Sequence, residues 1–569
     1  MGSPHAPRSG ASDPSRYLPT LAGRHVVFLN WRDRAHPQAG GAELFCESVA
    51  ERFAAAGVRV TLLTSRVSPD GAPPAVAAQV VAGVDVRRGG GTFGVYPSVL
   101  ARLASISRAG HRVDAVVDCQ NGIPFFSPLV LSGQTPVVQV LHHVHQKQFP
   151  LYFPGPVARI GQLLEAPGSR LVYRRRPSVV VSPSTREEAR AVLGLPGPRY
   201  LVPNGVTAAT VSSSPQEVGP AATPTIVCVG RLVPHKRLHL LLDALPALRE
   251  AHPGLVVHIV GDGPDRERLT AHAVSLGLSA PAVAAGDPGG PSGEAGAQVV
   301  HWHGQVAARV RDRLLASAWL TVNPSHGEGW GLSVLEAAAL GVPAVAFRVP
   351  GLRDAVRDGT TGWLVRDGEP LGPAIDAGLR LLAEPAAAAD LRAAARAWAA
   401  GFTWDASAEL LARVVSAEID RLTGPTVDVR SRARERRRID DDLTHATFTL
   451  PVHAGLPALR RTDLVYRPDP AGEQVVAVLY GADARQARTA LERVGVTTAP
   501  DSGGLRLRPG TGTDLLLAAG QATANPVSPA SPAPPATATT ATTATAATGG
   551  AEGVFAPGDQ PAAARSARA

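Results

Sequence analysis

Twice along this chain of 569 residues, short unbroken apolar runs alternate with segments whose apolar residues recur at helical spacing. An apolar run of about four to eight residues has no face to show to water, which suits a strand of a parallel sheet covered by helices on both sides. The first series has runs at 25–30, 58–64, 115–119, 137–141 and 179–183. After the first run, Gly40-Gly41 opens a helix from about Ala42, in which Phe45, Val49 and Phe53 share a face and which Gly57 stops. Another helix is expected at 184–193. Pro203-Asn204-Gly205 and a Ser/Pro/Ala/Thr-rich stretch to Pro224 interrupt the pattern. It then restarts with runs at 225–230, 255–260, 298–303, 320–324 and 343–349. The expected fold class is α/β, with two Rossmann-like doubly wound domains facing a cleft.

The breaks set the boundaries. Residues 1–20 read as a disordered leader, 21–207 as the first domain, 208–224 as a linker and 225–402 as the second domain. A Gly/Ala/Pro-rich stretch at 280–297 reads as an inserted surface loop. A helix at 403–424 is expected to cross back to the first domain. Beyond it, 425–442 form a charged linker, 443–518 a small α/β appendage with a strand at 474–480 and a helix at 483–494, and 519–569 a disordered Ala/Thr/Pro-rich tail.

Composition excludes several classes. The net charge of +8, from 56 Lys+Arg against 48 Asp+Glu, is spread along the chain without aromatic-basic interleaving, so no nucleic-acid partner is expected. The lysines are Lys147 and Lys236 alone, and the Arg and Ala bias reads as a GC-rich bacterial source. Cys46, Cys119 and Cys228 are odd in number and set in apolar patterns, which suits core thiols in a reducing compartment. With no signal-like start and no apolar run long enough to cross a bilayer, a cytoplasmic enzyme is expected. Peripheral contact at the inner face of a membrane stays open.

Chemistry concentrates between the run at 320–324 and an Ala-rich helix, in Ser325-His326-Gly327-Glu328-Gly329-Trp330-Gly331-Leu332-Ser333-Val334-Leu335-Glu336. Glycines there let backbone N–H groups approach a ligand at a strand's C-terminal end, and Glu328 can accept hydrogen bonds from sugar hydroxyls. Glu336 has two compatible readings: closing a capping box with Ser333, or reaching a ribose diol as acidic residues do in dinucleotide folds. Arg231 and Lys236 follow the first strand of the second series, where a guanidinium fork and a compact ammonium suit a diphosphate. Gly41 in Gly40-Gly41-Ala42-Glu43 either lets a phosphate approach or makes a tight turn, and Glu43 favours the helix N-terminus. His142, His143 and His145 follow the run at 137–141. Contact of His142 with substrate is favoured over a metal site, because no carboxylate or Cys stands at ligand spacing. Asp440-Asp441-Asp442 follows an Arg run and reads as charge compensation.

These residues resemble the family 4 retaining glycosyltransferases of GT-B fold, also called group 1 glycosyl transferases. The likeness spans roughly residues 24–422. It rests on Gly40-Gly41-Ala42-Glu43, Val181-Ser182-Pro183-Ser184, Val202-Pro203-Asn204-Gly205-Val206, Val229-Gly230-Arg231-Leu232 with Lys236, Val260-Gly261-Asp262-Gly263-Pro264 and the Glu328 to Glu336 element, all in family order. The resemblance implies catalytic roles for Glu328, Arg231, Lys236 and His142, with His143 competing for the last position. It implies donor binding by Gly41, Gly329, Trp330, Gly331, Leu332 and Glu336, with Arg231 and Lys236 on the diphosphate, the Gly329 to Gly331 backbone on the sugar and Glu336 on the ribose. It further implies a UDP- or GDP-linked sugar as co-substrate, no metal or other cofactor, and same-face displacement onto a hydroxyl acceptor, lipid-linked, polysaccharide or small. Acceptor choice would rest on first-domain loops such as 146–156. A sugar-nucleotide epimerase and a non-catalytic carbohydrate-binding protein are the other readings.

Overall fold

The computed structural model describes residues 17–36, 38–66, 76–108, 112–207, 219–279, 298–423 and most of 443–521, apart from 453, 455, 458, 460–462, 470 and 497–504. The expected insertion at 280–297, the charged linker with Asp440-Asp441-Asp442 and all but the start of the expected tail lie outside the described residues.

In the first domain the strands are β1 (His25–Leu29), β2 (Arg59–Thr64), β3 (Ala78–Val81), β4 (Val84–Arg88), β5 (Ala115–Asn121), β6 (Val137–His143), β7 (Ser178–Val180) and β8 (Arg199–Leu201). They form one sheet in the order β3-β4-β2-β1-β5-β6-β7-β8, parallel throughout except for β3. Every residue of β1 is buried, as an unbroken apolar run demands; each such side chain contributes roughly 1.5–3 kcal/mol of transfer free energy. β6 runs two residues further than expected, so His142 and His143 lie in the strand and not after it.

The second domain contributes β9 (Thr225–Val229), β10 (Val256–Val260), β11 (Val300–Gly304), β12 (Leu320–Asn323), β13 (Ala344–Phe347) and β14 (Gly362–Val365). Their order, β11-β10-β9-β12-β13-β14, is all parallel. The chain reverses direction between β9 and β12, and it is outside the carboxyl ends of such a strand pair that doubly wound sheets bind ligands. In the first sheet the equivalent reversal falls between β1 and β5.

Helix Trp404–Thr423 returns from the second domain and packs on helix Gly41–Ala55 and β6 of the first. Ser407 Oγ donates to Pro203 O at 2.6 Å, Arg52 pairs with Asp405, and the Phe45 and Trp404 rings meet edge to face. Leu18–Leu21, expected in a disordered leader, form a turn of 3-10 helix against this helix, where the Tyr17 and Leu18 amides donate to Glu409; residues 1–16 lie outside the described residues.

The appendage is a four-stranded antiparallel sheet, β15 (Leu443–Thr449), β16 (Leu464–Tyr466), β17 (Gln474–Tyr480) and β18 (Arg506–Pro509), in the order β16-β17-β15-β18. Helices Ala484–Arg493 and Gly512–Gln521 accompany it. The second runs past residue 518, because Ala518 and Ala519 are buried and Gly520 lies against Gly401. That contact, with Tyr480 on Tyr200, joins the appendage to the main body.

Candidate active site

The loops after β9 and β12 emerge side by side at the reversal of the second sheet, where His326 N donates to His235 O at 2.9 Å, and glycines let each touch the backbone of the next loop outward, after β10 and after β13. A Cβ on Gly261 would sit 2.0 Å from Gly230 O, and one on Gly263 would sit 2.2 Å from Leu232 O. Leu232 N donates to Asp262 O at 2.9 Å. The Gly261-Asp262-Gly263 motif therefore pins the loop that carries Arg231. Gly351 supports the Glu328 turn in the same way: its Cβ would meet Glu328 O at 2.2 Å, and Glu328 N donates to Pro350 O at 3.0 Å.

Pro234–Lys236 form a single 3-10 turn that ends at Arg237, held in the left-handed region at φ 49°. That conformation costs a non-glycine residue about 1 kcal/mol or more. Its guanidinium donates to Pro324 O at 3.0 Å and Ser325 O at 3.1 Å and lies over the Phe347 ring, so Arg237 ties the two loops together. Lys236 Nζ is thereby brought onto Glu328 Oε1 in an ion pair, and Ser325 Oγ lies 2.8 Å from the same oxygen. Burial pushes the Glu328 carboxyl up, but Lys236, Ser325 and His235 overcome it and hold its pKa down at about 2. At neutral pH Glu328 is thus a pure acceptor of hydrogen bonds.

Arg231 is exposed and makes no hydrogen bond or ion pair among the described residues. Its pKa is lowered by the surrounding protein first and by Arg32 second. Arg32 belongs to the first domain, in the loop after β1, and reaches this point because Glu43 Oε1 accepts from its Nε at 3.0 Å while its guanidinium lies over Trp31. Glu43 Oε2 accepts from Gly40 N at 2.7 Å. Glu43 therefore does more than favour a helix N-terminus, since it fixes both the Gly40-Gly41 turn and a cation. Neither Arg32 nor Arg237 was singled out from sequence; the available signal was only that each sits in a charged loop following a switch-point strand.

The first domain closes the site from the other side. Gly41 faces Leu332, with Leu332 Cδ2 3.7 Å from where a Cβ would be, and Asn204 Nδ2 at 3.8 Å. Gly329 lies against β6 so tightly that a Cβ would be 1.9 Å from His142 O. His143 Cε1 is 3.8 Å from the Cβ position of Gly327, and Glu328, His235 and Lys236 all act on its charge. His142 turns inward, edge to face with Phe45, and neither ring nitrogen has a protein partner among the described residues. Burial, with His145 beside them, pushes both histidines down to about 3, so both rings are neutral. Of the two rings, His143 is the one beside Glu328, while His142 offers its backbone carbonyl to the glycine turn.

One expectation needs correction. Gly331, at φ 80°, itself starts helix Leu332–Ala339, so Ser333 falls inside the first turn and no capping box with Glu336 forms. Glu336 instead stands 3.5 Å from Arg311, and burial, only partly offset by Arg311, raises its pKa. The Trp330 side chain is 2% exposed and packs on Phe402, so only its backbone can meet a ligand. Among the described residues no group of three or more His, Cys, Asp or Glu is placed to hold a metal ion.

Comparison with known proteins agrees with this arrangement. Residues 39–210 match the model described as Glycosyltransferase Family 4, and residues 223–384 match that described as Glycosyl transferases group 1. The chain is 30% identical over 425 residues to a D-inositol 3-phosphate glycosyltransferase of Thermobispora bispora, covering 68% of this chain and 91% of that one. It is 33% identical over 244 residues to a GDP-mannose-dependent alpha-(1-6)-phosphatidylinositol monomannoside mannosyltransferase of Mycolicibacterium smegmatis, covering 42% of this chain and 61% of the relative. Among solved structures, the sucrose-phosphate synthase of Thermosynechococcus elongatus superposes with a TM-score of 0.56 at 20% identity, over 69% of this chain and 98% of that one. That likeness shows the shared GT-B fold.

Proposed function

Because this chain belongs to the group 1, family 4 glycosyltransferases, we propose that it moves a hexose from a UDP- or GDP-linked sugar to an acceptor hydroxyl, with retention and without a required metal. The observation that carries the reading is the convergence of Arg231, Lys236 and Glu328 at the reversal of the second sheet, under the His142 and His143 wall. Arg231, with no hydrogen-bond or ion-pair partner among the described residues, is placed to take the diphosphate. Lys236 can share itself between Glu328 and the β-phosphate, and Glu328, ionised, accepts from the sugar's hydroxyls.

The protonation states support same-face displacement. Glu328, at about 2, and the two histidines, at about 3, are all poor bases at neutral pH. In this reading the bond from the anomeric carbon to the diphosphate breaks, the acceptor oxygen bonds to that carbon on the same face, and the acceptor's proton passes to the departing phosphate oxygen. Arg231 and Lys236 meet the charge that develops there, the role a divalent cation plays elsewhere.

Both relatives carry inositol in the names of their substrates. We extend that to this chain as a polyol or lipid-linked acceptor, used at the cytoplasmic face of a membrane. The test is incubation with UDP- and GDP-hexoses: nucleotide diphosphate should appear only with acceptor, persist in EDTA, and yield a product of the donor's anomeric configuration by NMR. Acceptor-independent change of the sugar would mark an epimerase, and donor binding without turnover a carbohydrate-binding protein; either result overturns the proposal.

A further inference from the structure

Residues 149–172 run as a nearly continuous helical stretch, Phe149–Tyr152, Gly155–Leu163, a π-turn over Leu164–Gly168 and Ser169–Val172. Its amphipathicity is inverted. The side against the domain carries Ala158, Gly161, Glu165 and Ser169, with Gly161 so close to Phe149 that a Cβ would lie 2.6 Å from the ring. The outward side carries Val157, Ile160, Leu163 and Leu171, which are 48%, 57%, 60% and 68% exposed. A surface helix stabilised by its own domain turns its large apolar residues inward. Here, apart from Phe149, small and polar residues take the inner face, and nothing among the described residues covers the outer one. Of the 15 large apolar side chains exposed among the described residues, seven fall between 151 and 171, so the exposure is a patch and not scatter.

The exposed charges of residues 147–175 have one sign. Lys147, Arg159, Arg170, Arg174 and Arg175 are exposed, while the segment's carboxylate, Glu165, is buried and accepts from His145 N at 2.7 Å and Gln146 Nε2 at 2.8 Å. An apolar stripe rimmed by cations matches the interface of an anionic bilayer, where the stripe enters the acyl boundary and the cations meet headgroup phosphates. No described helix is long and apolar enough to cross a membrane, so the contact is in the plane of the surface.

We propose that residues 151–171 form a face that seats the first domain on an anionic lipid bilayer. The patch begins at the cleft, where Tyr152 Oη and His235 Nδ1 are 2.5 Å apart and His235 adjoins Lys236. A hydroxyl borne by a membrane lipid would therefore be presented at the mouth of the site, a consequence that rests on the lipid-linked acceptor reading; the seating itself does not.

The test uses the full chain with no donor or acceptor present, in co-sedimentation with vesicles of pure phosphatidylcholine or of equal phosphatidylcholine and phosphatidylglycerol. The wild type should partition at least tenfold more onto the anionic vesicles, and added salt should weaken this. The triple variant Val157→Ser, Ile160→Ser, Leu163→Ser should lose about tenfold of that binding with unchanged melting temperature and UDP or GDP affinity. Lys147→Gln with Arg174→Gln should lose the preference for anionic lipid. Equal partition of wild type and triple variant, no sedimentation with anionic vesicles, or a wild-type dimer in light scattering that the triple variant abolishes would overturn the proposal, the last by making the patch a self-association face. Donor turnover is scored separately, so failure of the membrane face leaves the glycosyltransferase reading standing.

Discussion

Removing Lys236 should damage stability and catalysis by separable amounts. Lys236→Met leaves the Glu328 carboxylate, only 18% exposed, with Ser325, His235 and the field of Arg231 but no paired cation. Breaking a fully buried pair in this way costs about 3–5 kcal/mol. The residual exposure of both partners lowers the expectation to about 2 kcal/mol at pH 7. The sign follows from linkage: the folded pKa of Glu328, about 2, lies below its ordinary 4.5, so the stabilisation is present above 4.5 and disappears as pH falls through 2. The deficit of Lys236→Met should shrink over the same window. Lys236→Met with Glu328→Gln removes the stranded charge, and a coupling of about 2 kcal/mol is expected from urea unfolding followed by tryptophan fluorescence. Transfer behaves differently, because the ammonium is needed by the diphosphate and not only by Glu328. Both Lys236→Met and the double variant should lose roughly 10²–10³-fold in kcat/KM, measured as acceptor-dependent nucleotide diphosphate release. A double variant that regains activity together with stability would show that Lys236 serves only Glu328 and would refute the reasoning.

Glu188 is pushed up to about 7 by burial, which Lys147 and Arg353 only partly offset. Folding therefore favours its protonated form and the penalty grows as pH rises from 4.5 through 7, so Glu188→Gln should gain on the order of 1–2 kcal/mol at pH 8 and nothing at pH 4; parallel pH–stability curves would contradict this. Gly329→Ala places a Cβ 1.9 Å from His142 O and must push the glycine turn off β6. A shift of about 1 Å there should cost on the order of 10²-fold in kcat/KM, and an unaltered rate would mean the turn does not position the sugar. Glu336→Gln should weaken UDP or GDP binding about tenfold in calorimetry. The wild type should lose the same factor with the 2′,3′-dideoxy diphosphate and the variant no more, unless Glu336 is held only by Arg311.

What the sequence disclosed was decided by where each segment sits in its sheet. Inner strands buried on both faces announced themselves, β1 as five buried residues in a row and β12 as four, whereas the inner β4 and β15, whose burial alternates, did not. Nor did the edges. β3 pairs only with β4 and leaves Val80 and Val81 exposed, β8 is three residues long, and β14 starts on a glycine, so none presents an apolar run to find. The stretch 149–172 was opaque for a different reason, since its apolar period points away from the domain and implies no packing partner. At the site, Glu328 and the two cations were legible as residue types in strand-end loops. Their pairing was not, because Lys236 and Glu328 are 92 positions apart and meet only because the chain reverses between β9 and β12. The cap assigned to Glu336 failed on one backbone angle, that of Gly331. Arg32 could not have been assigned at all without the fold, because its significance comes from Arg231 on the facing domain. Glu43, which pairs with Arg32, and Glu328 both offset the repulsion of Arg32 on Arg231, so the two guanidiniums from separate domains meet with carboxylates already beside them.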